Sequence, residues 1–143
     1  MSTEYDKENI FAKILRGEIP SHRVHEDDDM LVIMDVMPQS KGHALVLPKA
    51  PCRNMLDADP EVLAKAIKVT QTIGSAAMKA FDADGLSIMQ FNEAPGGQSV
   101  FHLHFHVIPR YEGVALGGHS GKMEDENILA ENADRLRSAL AGQ

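Results

Sequence analysis

Three of the seven histidines in this 143-residue chain occupy alternate positions, in the run Gln98-Ser99-Val100-Phe101-His102-Leu103-His104-Phe105-His106-Val107-Ile108. Alternation is the period of a β-strand, whose successive side chains point to opposite faces. The spacing predicts Phe101, Leu103, Phe105 and Val107 in a core, with His102, His104 and His106 in a row on the other face. Neighbouring imidazoles in such a row have Cα atoms about 6.5 to 7 Å apart. Groups able to give, take or carry a proton near neutral pH, or to attack an electrophile, then line one rigid element. Three ordinary half-buried histidines account poorly for the pattern. Each neutral ring needs a partner for its N–H, and protonating neighbouring rings together is costly.

Two chemistries fit such a row. Two histidines at i and i+2 of a strand can both reach one zinc, but a structural site also wants cysteine or further close ligands. The chain has one cysteine, Cys52, and no Cys-x-x-Cys. The other chemistry is covalent catalysis at phosphorus, which the preceding residues favour. Asn92-Glu93-Ala94-Pro95-Gly96-Gly97-Gln98-Ser99 is a glycine-rich loop. Its small residues let backbone amides approach an anion, and its Asn, Gln and Ser side chains can hydrogen-bond the anion's oxygens. Alone such a loop is also what a chain uses to turn between strands. Joined to the histidine strand it becomes a phosphate-site pattern.

The stretch from Gly97 to Ile108 resembles the signature of the histidine triad (HIT) superfamily, His-φ-His-φ-His-φ-φ with φ apolar. Asn9-Ile10-Phe11-Ala12-Lys13-Ile14 with Gly17-Glu18-Ile19-Pro20 is similar to that family's first helix. Asp35 to Pro38-Gln39, Gly42-His43 and Leu45-Val46-Leu47-Pro48-Lys49 are similar to its second block. The match runs in order from about residue 9 to residue 111 and sits closest to the purine nucleoside phosphoramidase-like branch. The resemblance implies a nucleotide hydrolase that cleaves at an α-phosphate through a covalent nucleotidyl-histidine. His104 would be the nucleophile and His106 a donor to the phosphate or the departing atom. His102 and His43 would orient the row, and Ser99 would assist. Asp35 would accept from ribose hydroxyls. Ile10, Phe11, Ile14, Ile33 and Met34 would form the purine slot, and Asn92, Gly97, Gln98, Ser99 and Val100 the phosphate and leaving-group loop. A dinucleoside polyphosphate (Ap3A/Ap4A-type) hydrolase is one alternative, because Pro109-Arg110 after the triad also occurs there. A nucleotide-binding scaffold with incidental turnover is another. Some bacterial relatives carry a structural zinc on cysteines near the first helix and a later histidine. Here that helix reads Glu8-Asn9-Ile10-Phe11-Ala12 and Pro51 stands near the histidine position. The expectation is therefore no metal and no cofactor.

The elements that must position these residues follow from turn and cap signals. The reading is one α+β domain over residues 1–143: an antiparallel meander with helices, and by resemblance a two-fold homodimer whose sheets join. A first helix is expected over 7–16, ending at Gly17. Strands are expected at 22–26, 30–35 and 43–48, then at 85–91 and 99–109. Asp59-Pro60 opens a helix of about twenty residues whose apolar side includes Val62, Leu63, Ala66, Ile67, Val69, Thr70 and Ile73. A polar amphipathic helix closes the chain over about 124–140. His22, His25 and His119 lack motif context and read as surface residues. The net charge of -7 argues against a nucleic-acid backbone as partner. A polar N-terminus, the absence of a membrane-length apolar run and the single cysteine point to a cytoplasmic protein.

Overall fold

The computed structural model describes residues 4–118 and 122–143; His119 lies outside them. Helix α1 spans Ile10–Leu15, with Asn9 capping its first turn by accepting from the Ala12 amide, and the chain leaves it through Gly17 at φ +79°. Strands β1 (Arg23–Glu26), β2 (Met30–Met34) and β3 (Ala44–Pro48) follow, then helix α2 (Pro60–Ala80). Asp59 caps α2 as its Asp-Pro start predicts. Strand β4 (Gly85–Met89) leads through a short 3-10 turn at Ala94–Gly96 to β5 (Phe105–Arg110), and helix α3 (Glu126–Ala141) completes the described chain. No helix among the described residues is long and apolar enough to cross a membrane.

Five strands form one antiparallel sheet in the order β1-β2-β3-β5-β4. The expected meander holds for the first three. The last two are inverted in space, because the chain crosses the sheet through α2, enters at the far edge as β4 and returns between its neighbours as β5.

Both faces of the sheet are covered at β2 and β3, which is why β2 reads Met-Leu-Val-Ile-Met without a polar residue and is buried throughout. Met30, Val32 and Met34 join Val46, Phe105 and Val107 in the core shared with α2 and α3, where Ile73, Leu129 and Leu136 pack. Leu31, Ile33, Leu45 and Leu47 face the other way and pack with Phe11 and Ile14 of α1. The two-residue period therefore sorts the strands between two cores. Along β5, with Phe105 and Val107 in the first core, the intervening His106 falls on the α1 face.

Three local expectations are corrected. β5 begins at Phe105, not near residue 99. The preceding chain is drawn onto the loop after β3, where the Leu103 amide donates to the Cys52 carbonyl at 2.9 Å. Phe101 consequently lies half-buried beneath the Arg53 guanidinium, 4.3 Å from its ring centre, and not in the core. Ile67 is 52% exposed, because α2 buries the narrower stripe of Ala66, Thr70, Ile73, Gly74, Ala76 and Ala77.

Candidate active site

A cavity of about 670 Å³ opens on the α1 face at the end of the sheet. His104 and His106 line one part of it. Phe11 and Ile14 of α1, Ile33 and Met34 of β2, and Asp35 just beyond β2 line the rest. Ile10, Gly97, Ser99 and Val100 also reach this wall, so most of the residues singled out from the sequence converge here. Register places His106 between Leu45 of β3 and Met89 of β4. The rings form an edge-to-face cluster, with Phe11 to His104 at 4.9 Å, His104 to His106 at 4.9 Å and Phe91 to His106 at 5.6 Å between centroids.

Main-chain groups assign the proton on each imidazole. His104 Nδ1 lies 2.7 Å from the carbonyl of His102, which can only accept. Nδ1 therefore carries the hydrogen, and the lone pair is on Nε2. The Gln39 amide donates to His43 Nδ1 at 3.1 Å, which puts the His43 proton on Nε2. That Nε2–H donates to His106 Nδ1 at 2.9 Å, so His106 holds its own proton on Nε2. One basic nitrogen and one N–H donor thus stand side by side, each set from the backbone. Asp35 accepts from the Met37 amide at 2.8 Å, and its other oxygen is 3.4 Å from His43 Nε2.

His102 differs from its expected place in the row. It is fully buried and does not line the cavity. Its Nε2–H donates to the Pro48 carbonyl at 2.7 Å, and its Nδ1 accepts from the Tyr5 hydroxyl at 2.5 Å. Burial pushes its pKa from 6.5 down to about 4, so the ring is neutral. His43 is likewise buried behind His106 and hydrogen-bonds to it.

The glycine-rich loop is held as a rigid hoop. Gln98 is buried with its amide fully committed: its oxygen accepts from the Glu93 amide and Asn54, and its nitrogen donates to the Arg53 and Val100 carbonyls. Its side chain therefore shapes the loop and is not presented to the cavity. Asn92 is also turned inward, exchanging hydrogen bonds with Gln90 and accepting from the Met55 amide. Glu93 sits at φ +67°, a conformation held by the Arg53 fork at 2.8 and 2.9 Å and by Asn54 at 2.6 Å. The Arg53 guanidinium holds the Glu93 carboxyl below its usual range. Gly97, at φ +106°, packs beneath Phe91, and a Cβ there would sit 3.1 Å from that ring.

The cavity also has walls that no motif announced. His22, assigned from the sequence to the surface, lines it and bonds to Glu126 at 2.7 Å. Ser21, Met123 and Glu126 line it as well. His25 stays at the surface beside Asp27, at 2.9 Å.

Asp35, His43 and His106 each offer a ligand atom within 4.8 Å of the others, a spacing compatible with a metal ion. The hydrogen-bond chain fits that use poorly. The Gln39 amide already satisfies His43 Nδ1, and the His43 Nε2–H donated to His106 Nδ1 at 2.9 Å occupies the space between those two rings.

Fold and site together define an α+β domain with a backbone-set imidazole pair beside a nucleotide-sized cavity. Residues 16–113 match the family model described as the HIT domain, and the chain belongs to the HIT family of nucleotide-binding hydrolases. A HIT-like protein from Bartonella henselae has a solved structure with 54% identity and a TM-score of 0.89, covering 95% of this chain and 99% of that one. A hypothetical histidine triad nucleotide-binding protein from Sulfolobus tokodaii is similar at 30% identity and a TM-score of 0.86, with 92% and 91% of the two chains covered. An adenylylsulfatase from Arabidopsis thaliana is 35% identical over 97% of this chain and 71% of its own length.

Proposed function

We propose that this protein hydrolyses purine nucleoside phosphoramidates or related nucleotidyl conjugates through a covalent nucleotidyl-histidine on His104. The observation that carries this reading is the 2.7 Å bond from His104 Nδ1 to the His102 carbonyl, which leaves the lone pair on Nε2 for attack. Nε2 forms the bond to the α-phosphorus, and the bond to the departing atom breaks with its electron pair leaving on that atom. His106 Nε2–H and the Ser99 hydroxyl donate hydrogen bonds to the phosphate oxygens or the leaving group. The departing amine takes a proton relayed from solvent through the Ser99 hydroxyl; water then attacks the phosphorus, the bond to His104 breaks with its pair returning to Nε2, and of the two water protons one stays on the phosphate and the other replaces the one the amine took. Phe11, Ile14, Ile33 and Met34 hold the purine, and Asp35 accepts from the ribose hydroxyls. A second copy of the chain would pair along β4, the sheet edge, where Ile88 is 43% exposed. A reducing cytoplasm suits the single buried Cys52.

One assay separates the readings. Adenosine phosphoramidate, adenylyl sulfate and diadenosine polyphosphate are turned over side by side, with and without excess EDTA, by wild type and His104→Ala. The expected result is chelator-resistant cleavage of the phosphoramidate, a nucleotidyl adduct on quenched wild type and no turnover by the variant. Loss of activity to EDTA would favour metal use by the Asp35, His43 and His106 group. His104→Ala keeping more than about 1% of activity would remove the nucleophile assignment, since that is a loss of under about 3 kcal/mol in the barrier.

A further inference from the structure

The cavity extends past the apolar purine slot to polar groups at Ser21 and His22 and to Glu126, which the chain contributes from beyond the family match. The segment leading to α3 is stitched onto the turn after β2. The Glu124 amide donates to the Val36 carbonyl at 2.8 Å, and Gly117 and Gln39 exchange bonds at 2.8 and 3.1 Å. This brings Met123 and Glu126, the first residue of α3, to the cavity wall beside Ser21 and His22. Asp125 caps α3 through the Asn127 amide, leaving Glu126 to reach His22 Nε2 at 2.7 Å. Ser21 Oγ is the one buried side-chain polar atom among the described residues without a hydrogen-bond partner. Buried hydroxyls are nearly always paired, so this Oγ, which is closed to water as the wall stands, gains a partner when the wall shifts to admit a base.

We infer that Glu126, held by His22 and assisted by Ser21, reads the Watson–Crick edge of the bound purine and selects guanine over adenine. The inference rests on the nucleotide-hydrolase reading and adds base choice to it. A carboxylate can only accept. Guanine offers it two adjacent donors, the N1–H and the exocyclic amine, in the spacing of a two-pronged charge-assisted pair. Adenine presents a bare N1, whose lone pair faces the carboxylate. The Ser21 hydroxyl can donate to or accept from either base, so it adds affinity with little discrimination. The Glu126 side chain is 73% exposed, so water competes and the preference is modest.

Calorimetric titration of wild type, Glu126→Ala and Ser21→Ala with GMP, IMP and AMP tests this. Wild type should bind GMP about five- to tenfold more tightly than AMP, within the range of charge-assisted pairs in partial contact with water, with IMP between them. Glu126→Ala should weaken GMP and bring the three affinities together, and Ser21→Ala should weaken all three together. Thermal melts of both variants should match wild type, which removes misfolding as an explanation. Equal GMP and AMP affinity in wild type, or an equal loss of both in Glu126→Ala, would overturn base selection while leaving the hydrolase reading intact. Failure of wild type to bind any of the three would overturn the nucleotide reading itself.

Discussion

The neutrality of His102 makes a quantitative demand on the protein's stability in acid. In the folded chain the ring is buried, donates to Pro48 and accepts from Tyr5. Burial is the main reason its pKa falls from 6.5 to about 4; the Pro48 carbonyl opposes the shift and His104 adds to it. Below pH 6.5 the unfolded chain takes up a proton here that the folded chain refuses. The stabilisation from this group is therefore complete above about pH 6.5 and is lost as pH falls towards about 4. At about pH 4.5 nearly all of that interval has been crossed, so the loss is about 2 to 3 kcal/mol. Urea unfolding of wild type and His102→Gln at about pH 7 and about pH 4.5 isolates it, because the remaining titrating groups are common to both chains. Wild type should lose about 2 to 3 kcal/mol more than the variant between the two conditions. Parallel losses in the two proteins would refute the claim that the fold excludes this proton.

Tyr5→Phe removes the donor to His102 Nδ1, so the His102 pKa followed by NMR should rise, and an unchanged titration would mean the hydroxyl does not hold the ring. Asp35→Ala should weaken ribonucleotides more than 2′-deoxyribonucleotides by about 1.5 to 3 kcal/mol in binding measurements; equal losses would make Asp35 structural. Gly42 stands at φ +89° and a Cβ there would lie 2.6 Å from the Phe81 ring. Gly42→Ala should therefore destabilise by about 2 to 4 kcal/mol in thermal melts, and a neutral result would show that the turn before His43 has room to shift.

What could be read from the sequence was whatever local chemistry determines. Asn9 and Gly17 bound α1 and Asp59-Pro60 opens α2 because caps and glycine turns act within a few residues. The histidine alternation correctly put Leu103, Phe105 and Val107 in the core. It misplaced His102, because the chain before Phe105 bonds to the loop after β3 instead of extending the ladder, and no local pattern reports that. The inverted order of β4 and β5 depends on where α2 returns the chain. Gln98 and Asn92 looked like ligand contacts by type, but the turn at Glu93 needs their amides internally. The His22–Glu126 pair joins residues 104 positions apart with no motif at either. Tyr5 reaches His102 across 97 positions in the same way.

The bond that prepares His104 comes from a carbonyl, and every residue type supplies one. Substitution at position 102 can therefore alter how the domain tolerates acid or heat while keeping the lone pair on His104 Nε2, provided the backbone keeps its path. The same holds at position 39, where any residue except proline brings the amide that orients His43. Acid tolerance at position 102 and the orientation of the proposed nucleophile thus rest on different atoms of the same residue, the side chain for one and the main-chain carbonyl for the other.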